Sequence, residues 1–201
     1  MRRFLLAAAV AAASVMILSA CASSAGGRPA LGMVWPEPPA GEVVGQGTVL
    51  DADGSVRLCL GAVAESFPPQ CAGIPVSGWS WDGVEGSETS GTTRWGAYAV
   101  QGTYDGETLQ ATQPPILLAL YDPLPQEDPT GGEPGTATDA ELATVQDAVP
   151  EALGDALLTS SVENGRLWAD VVWDDGTFQD AADAEYGEGL VVVRPALREV
   201  G

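Results

Sequence analysis

The sequence predicts a mainly β protein with a C-terminal α+β part: a small OB-like barrel or sandwich over residues 42–121, then an α-β-β-α-β unit over 138–201. Three observations predict this. Short apolar runs between Glu42 and Tyr121 are separated by turn signals rich in Gly, Asp and Pro, which is the texture of several short strands. Ser55–Leu60 alternates, with Val56, Leu58 and Leu60 on one face and Ser55, Arg57 and Cys59 on the other. Beyond Thr138 the apolar period lengthens to that of a helix.

Element by element, Glu42–Leu50 is rich in Val, Thr and Gly and reads as a strand that turns at Asp51-Ala52-Asp53-Gly54 into Ser55–Leu60. Pro68-Pro69 keeps the following loop out of any central strand. Gly78–Asp82 (GWSWD) sets Trp79 and Trp81 on one strand face. Thr92–Tyr104 is the longest strand candidate, and Asp105-Gly106 is a tight-hairpin signal. Thr108–Gln113 returns and Ile116–Tyr121 is a last apolar strand. Residues 122–137, with their Pro and Gly, form an acidic linker. Thr138 and Glu141 make a capping box ahead of Leu142, Val145 and Val149, and Pro150 ends or kinks that helix. Asn164-Gly165 joins two strands as a hairpin. Thr177 caps a short helix bearing Phe178, Ala182 and Tyr186, with Gly187 just beyond its end. Leu190–Val193 is a buried-type strand, and Ala196–Val200 closes the chain.

The first 41 residues read differently. Met1-Arg2-Arg3 is a short basic region and Phe4–Leu18 an apolar run of 15 residues. That is short for a membrane span, which needs roughly 20 residues, and it suits a secretory signal. Leu18-Ser19-Ala20-Cys21 then resembles the bacterial lipobox. The resemblance implies that residues 1–20 are a lipoprotein signal peptide and that the Cys21 thiol carries a diacylglycerol. Residues 21–41, small and rich in Pro and Gly, read as a tether with a flexible reach of roughly 25 Å. Trp35 within it has two destinations, the domain surface or the lipid interface. The expected address is the extracytoplasmic face of the cell membrane, through the N-terminal lipid. Of three cysteines, lipidation of Cys21 leaves Cys59 and Cys71, which outside the membrane form a disulfide.

Composition excludes much. The 201 residues carry 28 acids against 8 basic residues, all Arg, with no Lys and no His. A Ser-His-Asp triad, a His-ligated zinc, a P-loop lysine and a Schiff base are impossible within this chain. Loss of residues 1–20 would remove Arg2 and Arg3, leaving six arginines against 28 acids, a formal −22. Such a surface repels nucleic acid and anionic lipid head groups, so acyl chains must supply membrane attachment. Asp51-Ala52-Asp53-Gly54 begins like a calcium loop, but Val56 stands where Gly is needed and Ala62 where Glu is needed, so it reads as a turn. Acids such as Asp170 and Asp183 lie in structured segments, yet nothing in the sequence pairs them as a glycosidase requires. The candidate ligand face is aromatic: Trp79 with Trp81, and Trp168 with Asp170 on one strand face. No catalytic residue, metal ligand or cofactor motif is assigned. The expected function is a non-enzymatic envelope module that binds a partner protein or a wall glycan; the alternative is a carboxylate-dependent hydrolase of cell-wall glycans.

Four stretches carry a family resemblance. CLGAVAESFPPQC with the GWSWD that follows it, WGAYAVQGTYDGETLQAT, and VVWDDGTFQDAADAEYGEGLVVVRPAL resemble secreted lipoproteins of high-GC actinobacteria. The resemblance implies an address and an architecture, and it brings no catalytic residue. It also fits the use of Arg in place of Lys, an effect of GC-rich coding.

Overall fold

The computed structural model describes residues 29–71, 73–123 and 128–200. Cys21 and the signal segment lie outside the described residues.

The chain is mainly β, with a five-stranded barrel and a helix-and-strand part behind it. In order, the strands of the first part are β1 (Glu42–Ala52), β2 (Ser55–Cys59), β3 (Val63–Ala64), β4 (Gln70–Cys71), β5 (Ile74–Ser77), β6 (Glu88–Ser90), β7 (Thr93–Tyr104), β8 (Leu109–Ala111) and β9 (Ile116–Leu117). The two long strands, β1 and β7, pair antiparallel from Glu42↔Thr103 to Ala52↔Thr93. The other edge of β1 takes β2, β2 takes β5, β5 takes β8 in parallel, and β8 returns to β7. The ring β1-β2-β5-β8-β7 is thereby closed, as an OB-like barrel requires. Asp53 and Gly54, both at positive φ (55° and 84°), make the β1–β2 turn whose twist matches the strands it joins.

The alternation of β2 is realised. Val56, Leu58 and Leu60 point into the barrel core with Val43, Val49, Tyr98, Val100 and Leu109. Cys59 points outward, where Leu50, Trp95 and Cys71 form a small outer cluster. The Cys59–Cys71 disulfide is present, with Cα atoms 5.9 Å apart, and it spans the short β3–β4 hairpin. Phe67 in that loop stays exposed, with its ring edge-on to Trp95 at 5.3 Å.

The second part runs α1 (Asp139–Leu153), β10 (Leu157–Glu163), β11 (Arg166–Val171), α2 (Thr177–Tyr186), β12 (Val191–Pro195) and β13 (Arg198–Glu199). The Thr138/Glu141 capping box is formed in both directions. Pro150 does not end α1, which continues to Leu153. So near the C-terminus, the missing N–H costs the helix one bond and the last turn survives. Asn164 and Gly165, at φ 51° and 73°, join β10 to β11. β11 and β12 are parallel, connected through α2. Thr177 is the first residue of α2 and not its cap. Asp174 and Asp175 do the capping: Asp174 accepts from the Phe178 amide (2.9 Å) and Asp175 from the Thr177 amide (3.0 Å). Their side chains reach the free N–H groups of the first turn, which a residue already inside the helix cannot do.

Each part is completed by the other. Leu167, Ala169 and Val171 of β11, with Val191 and Val193, are covered by Val145, Val149 and Leu153 of α1 and by Phe178, Ala181 and Ala182 of α2. Leu31, fully buried, enters the same core, and Val34 packs against it. The segment from Pro29 on, read above as part of a tether, is therefore built into the domain. In return the barrel core takes Val172 and Leu197, and β13 pairs with β1 at Val43↔Glu199 and Val44↔Arg198, where β2 has ended. Gly45 makes room for this: a Cβ there would lie 2.8 Å from both Leu197 Cδ2 and Leu58 Cδ2.

Candidate binding groove

The end of the barrel beside Tyr98 carries the aromatic residues singled out from the sequence. β5 ends at Ser77 because Gly78 turns the backbone to φ 70°, a conformation that costs glycine little and other residues more. A Cβ at Gly78 would also lie 2.9 Å from the Ala111 carbonyl oxygen. Trp79 and Trp81 are therefore not on a strand face. They sit in the loop after β5, half-buried, and pack on the barrel core. Their rings meet edge-on at 5.0 Å, and Tyr98 lies 5.7 Å from Trp79 and 6.1 Å from Trp81. The Trp81 indole N–H donates to Asp51 Oδ2 at 2.8 Å. The Arg94 guanidinium covers the Trp81 ring at 4.4 Å while its Nε donates to Ser87 Oγ at 2.9 Å. Among the described residues, Trp79 Nε1 is the buried side-chain nitrogen left without a protein partner.

Asp51 also accepts the Gly54 amide at 2.9 Å, so each of its oxygens is engaged in holding a turn or the Trp81 loop. No cluster of three His, Cys, Asp or Glu suited to a cation occurs among the described residues.

Between the Trp loop and the segment 111–120 lies an open groove of about 510 Å³. Val84, Tyr98, Leu117 and Leu120 supply its apolar lining, and Asp82 and Glu85 its acids. The Tyr98 hydroxyl donates to the Glu85 carbonyl at 2.7 Å, and burial raises its pKa above the ordinary phenol range. The sequence reading placed a strand over Ile116–Tyr121. Only Ile116 and Leu117 pair, with β7; Leu118–Leu120 turns as a short 3-10 helix with no buried residue. Leu120 is thereby 79% exposed at the groove, while Ile116, which does not line it, is 47% exposed.

Trp168 and Asp170 lie in the other part, on β11. They do share a strand face, but that face is occupied. Trp168 is buried, its indole N–H donating to the Glu163 carbonyl at 3.3 Å. Arg194, across on β12, lies 4.8 Å over the Trp168 ring. It also donates to both Asp170 oxygens, at 2.7 and 3.2 Å. This forked pair on an aromatic ring is a fixed packing unit, not an open platform for a sugar. Asp183 is likewise engaged, accepting from the Gly189 amide (2.8 Å) and Gln179 Nε2 (3.1 Å).

Sequence reasoning missed Arg94, which packs over Trp81, and the exposed Leu120 at the groove. Pro114-Pro115 just before a run of large aliphatics was the available signal. No helix among the described residues is long and apolar enough to cross a membrane. No known family, curated protein or solved structure matches the chain.

Proposed function

We propose that this chain is a lipid-anchored protein of the extracytoplasmic face, akin to the secreted actinobacterial lipoproteins its segments resemble. In this reading it is a non-enzymatic interaction module that offers the groove beside Tyr98 to a partner protein. The observation that carries the reading is Leu120, which stands in water at a groove whose apolar side chains include Val84, Tyr98 and Leu117. An aliphatic side chain left in water beside a groove is the kind of surface that protein partners cover. A protein partner is favoured over a glycan because the flat rings that would stack on sugars are already packed, Trp79 against Tyr98 and Trp81 beneath Arg94. The hydrolase alternative lacks support of this kind. It needs an acid whose pKa is raised by burial, facing a second acid across a cleft. Burial does raise the pKa of Asp174, but that side chain caps α2 and does not line the groove.

The test is cross-linking of the full chain in its own envelope, with mass spectrometry. Cross-linked peptides should come from residues 78–85 and 111–120, and Leu120→Glu should abolish them. Val162→Glu, at another exposed apolar position, should leave them intact. Cross-linking unchanged by Leu120→Glu, or none where a control lipoprotein is captured, would overturn the reading.

A further inference from the structure

The segment from Pro29 to Glu37 is fastened at several points. The Leu31 amide donates to Glu185 Oε2 at 2.8 Å. The Glu37 amide donates to Asp175 Oδ2 at 3.1 Å, and the Glu37 carbonyl accepts from Trp173 Nε1 at 2.9 Å. Leu31 and Val34 face inward. Between and beside them, Met33 and Trp35 are left 69% and 75% exposed. Trp35 therefore does not rest on the domain; it is held out from it on a fixed backbone. Trp95 and Trp168 are buried, and Trp79, Trp81 and Trp173 are half-buried, so Trp35 stands apart among the tryptophans.

Chain length says what this pair faces. Leu31 lies ten residues beyond Cys21, a span of at most roughly 35 Å when fully extended. If Cys21 carries lipid, this end of the molecule cannot stand far from the bilayer. An indole with an apolar body and a polar N–H suits the head-group layer, where Trp collects. We propose that Met33 and Trp35 rest in the interfacial layer of the membrane that holds Cys21. The domain then has two points of attachment, the lipid and this pair, and these fix which side faces the bilayer. The proposal rests on the lipid-anchor reading of Cys21.

The test uses the full chain with its own lipid, reconstituted into phosphatidylcholine vesicles whose acyl chains carry bromine near the glycerol. Tryptophan emission should be quenched in the wild type, and that quenching should be lost in Trp35→Phe, a change at an exposed site that leaves the core alone. No quenching in the wild type, or equal quenching in both, would overturn the proposal. Protection of Trp35 from acrylamide in native envelopes, with no bromine quenching in vesicles, would also overturn it and assign the pair to a protein. The mass of the N-terminal peptide reports separately whether Cys21 is acylated. If it is not, the anchor reading fails. The Cys21 thiol, free while Cys59 and Cys71 are joined, can then be coupled to a maleimide lipid and the same comparison made.

Discussion

Leu197 is the point where the C-terminal part enters the barrel, and Gly45 is the space it enters. A methyl added at Gly45 would lie 2.8 Å from Leu197 Cδ2, 2.8 Å from Leu58 Cδ2 and 3.1 Å from Leu60 Cδ2. All three are side-chain ends that can give a little, so Gly45→Ala should cost about 1–2 kcal/mol, the lower range for overpacking. Leu197 is fully buried, and Leu197→Ala should cost about 2–5 kcal/mol for the lost contacts and the cavity. The double variant decides whether the two are one contact. With Leu197 trimmed, the methyl introduced by Gly45→Ala loses one of its two closest clashes and fills part of the void. The double variant should be more stable than the sum of the singles predicts, by about 1 kcal/mol. The assay is urea unfolding of a chain starting at Ala22, followed by Trp fluorescence, to which tryptophans of both parts contribute, and by far-UV circular dichroism, which reports α1 and α2 strongly. Additivity within about 0.3–0.5 kcal/mol would refute the contact. Because the cores exchange residues, both probes should also report one transition; two separated transitions would refute the shared core.

Replacing both Cys59 and Cys71 by Ser should cost about 3 kcal/mol, the loop-closure entropy of so short a ring, read as a shift in urea midpoint. Tyr104 is buried, its hydroxyl donates to the Gly106 carbonyl at 2.7 Å, and burial, with Asp105 and Glu107 nearby, pushes its pKa up to about 12. The fold thus favours the neutral phenol. That stabilisation is fully present below the unfolded value near 10 and is lost as pH rises from there toward 12. Solvent screening reduces it to about 1–2 kcal/mol, and Tyr104→Phe should flatten the alkaline loss of stability. Leu31→Ala should cost about 2–5 kcal/mol in the same urea assay; a change under about 0.5 kcal/mol would mean that the segment does not pack.

Local features were legible because short-range physics decides them. The alternation of β2 set its two faces, Asn164-Gly165 turned its hairpin, and Thr138 with Glu141 began α1. The barrel's closure rests on pairings that no local pattern contains, above all β1 with β7 and the parallel pair β5 with β8. Leu31 and Val34 sit among Pro and Gly, so the surrounding composition read as tether although both side chains are inside. The Trp79-Ser80-Trp81 alternation resembles a strand, but Gly78 bends the chain first. Trp168 and Asp170 share a strand face, as their spacing predicts, but that face is closed. What fills that face, Arg194, comes from β12, on the far side of α2 in the chain and beyond the reach of spacing arguments.

The exchange of ends between the two cores sets an order of events for a chain that emerges from the ribosome N-terminus first. Leu31 arrives first but has nowhere to bury until α1, β11 and α2 follow. β1 arrives next, yet part of its free edge waits for Arg198 and Glu199. The barrel interior likewise waits for Leu197. Folding is thus deferred until nearly all of the chain has emerged. A truncation that removes β13 and Leu197 should therefore damage the barrel at the opposite end of the sequence.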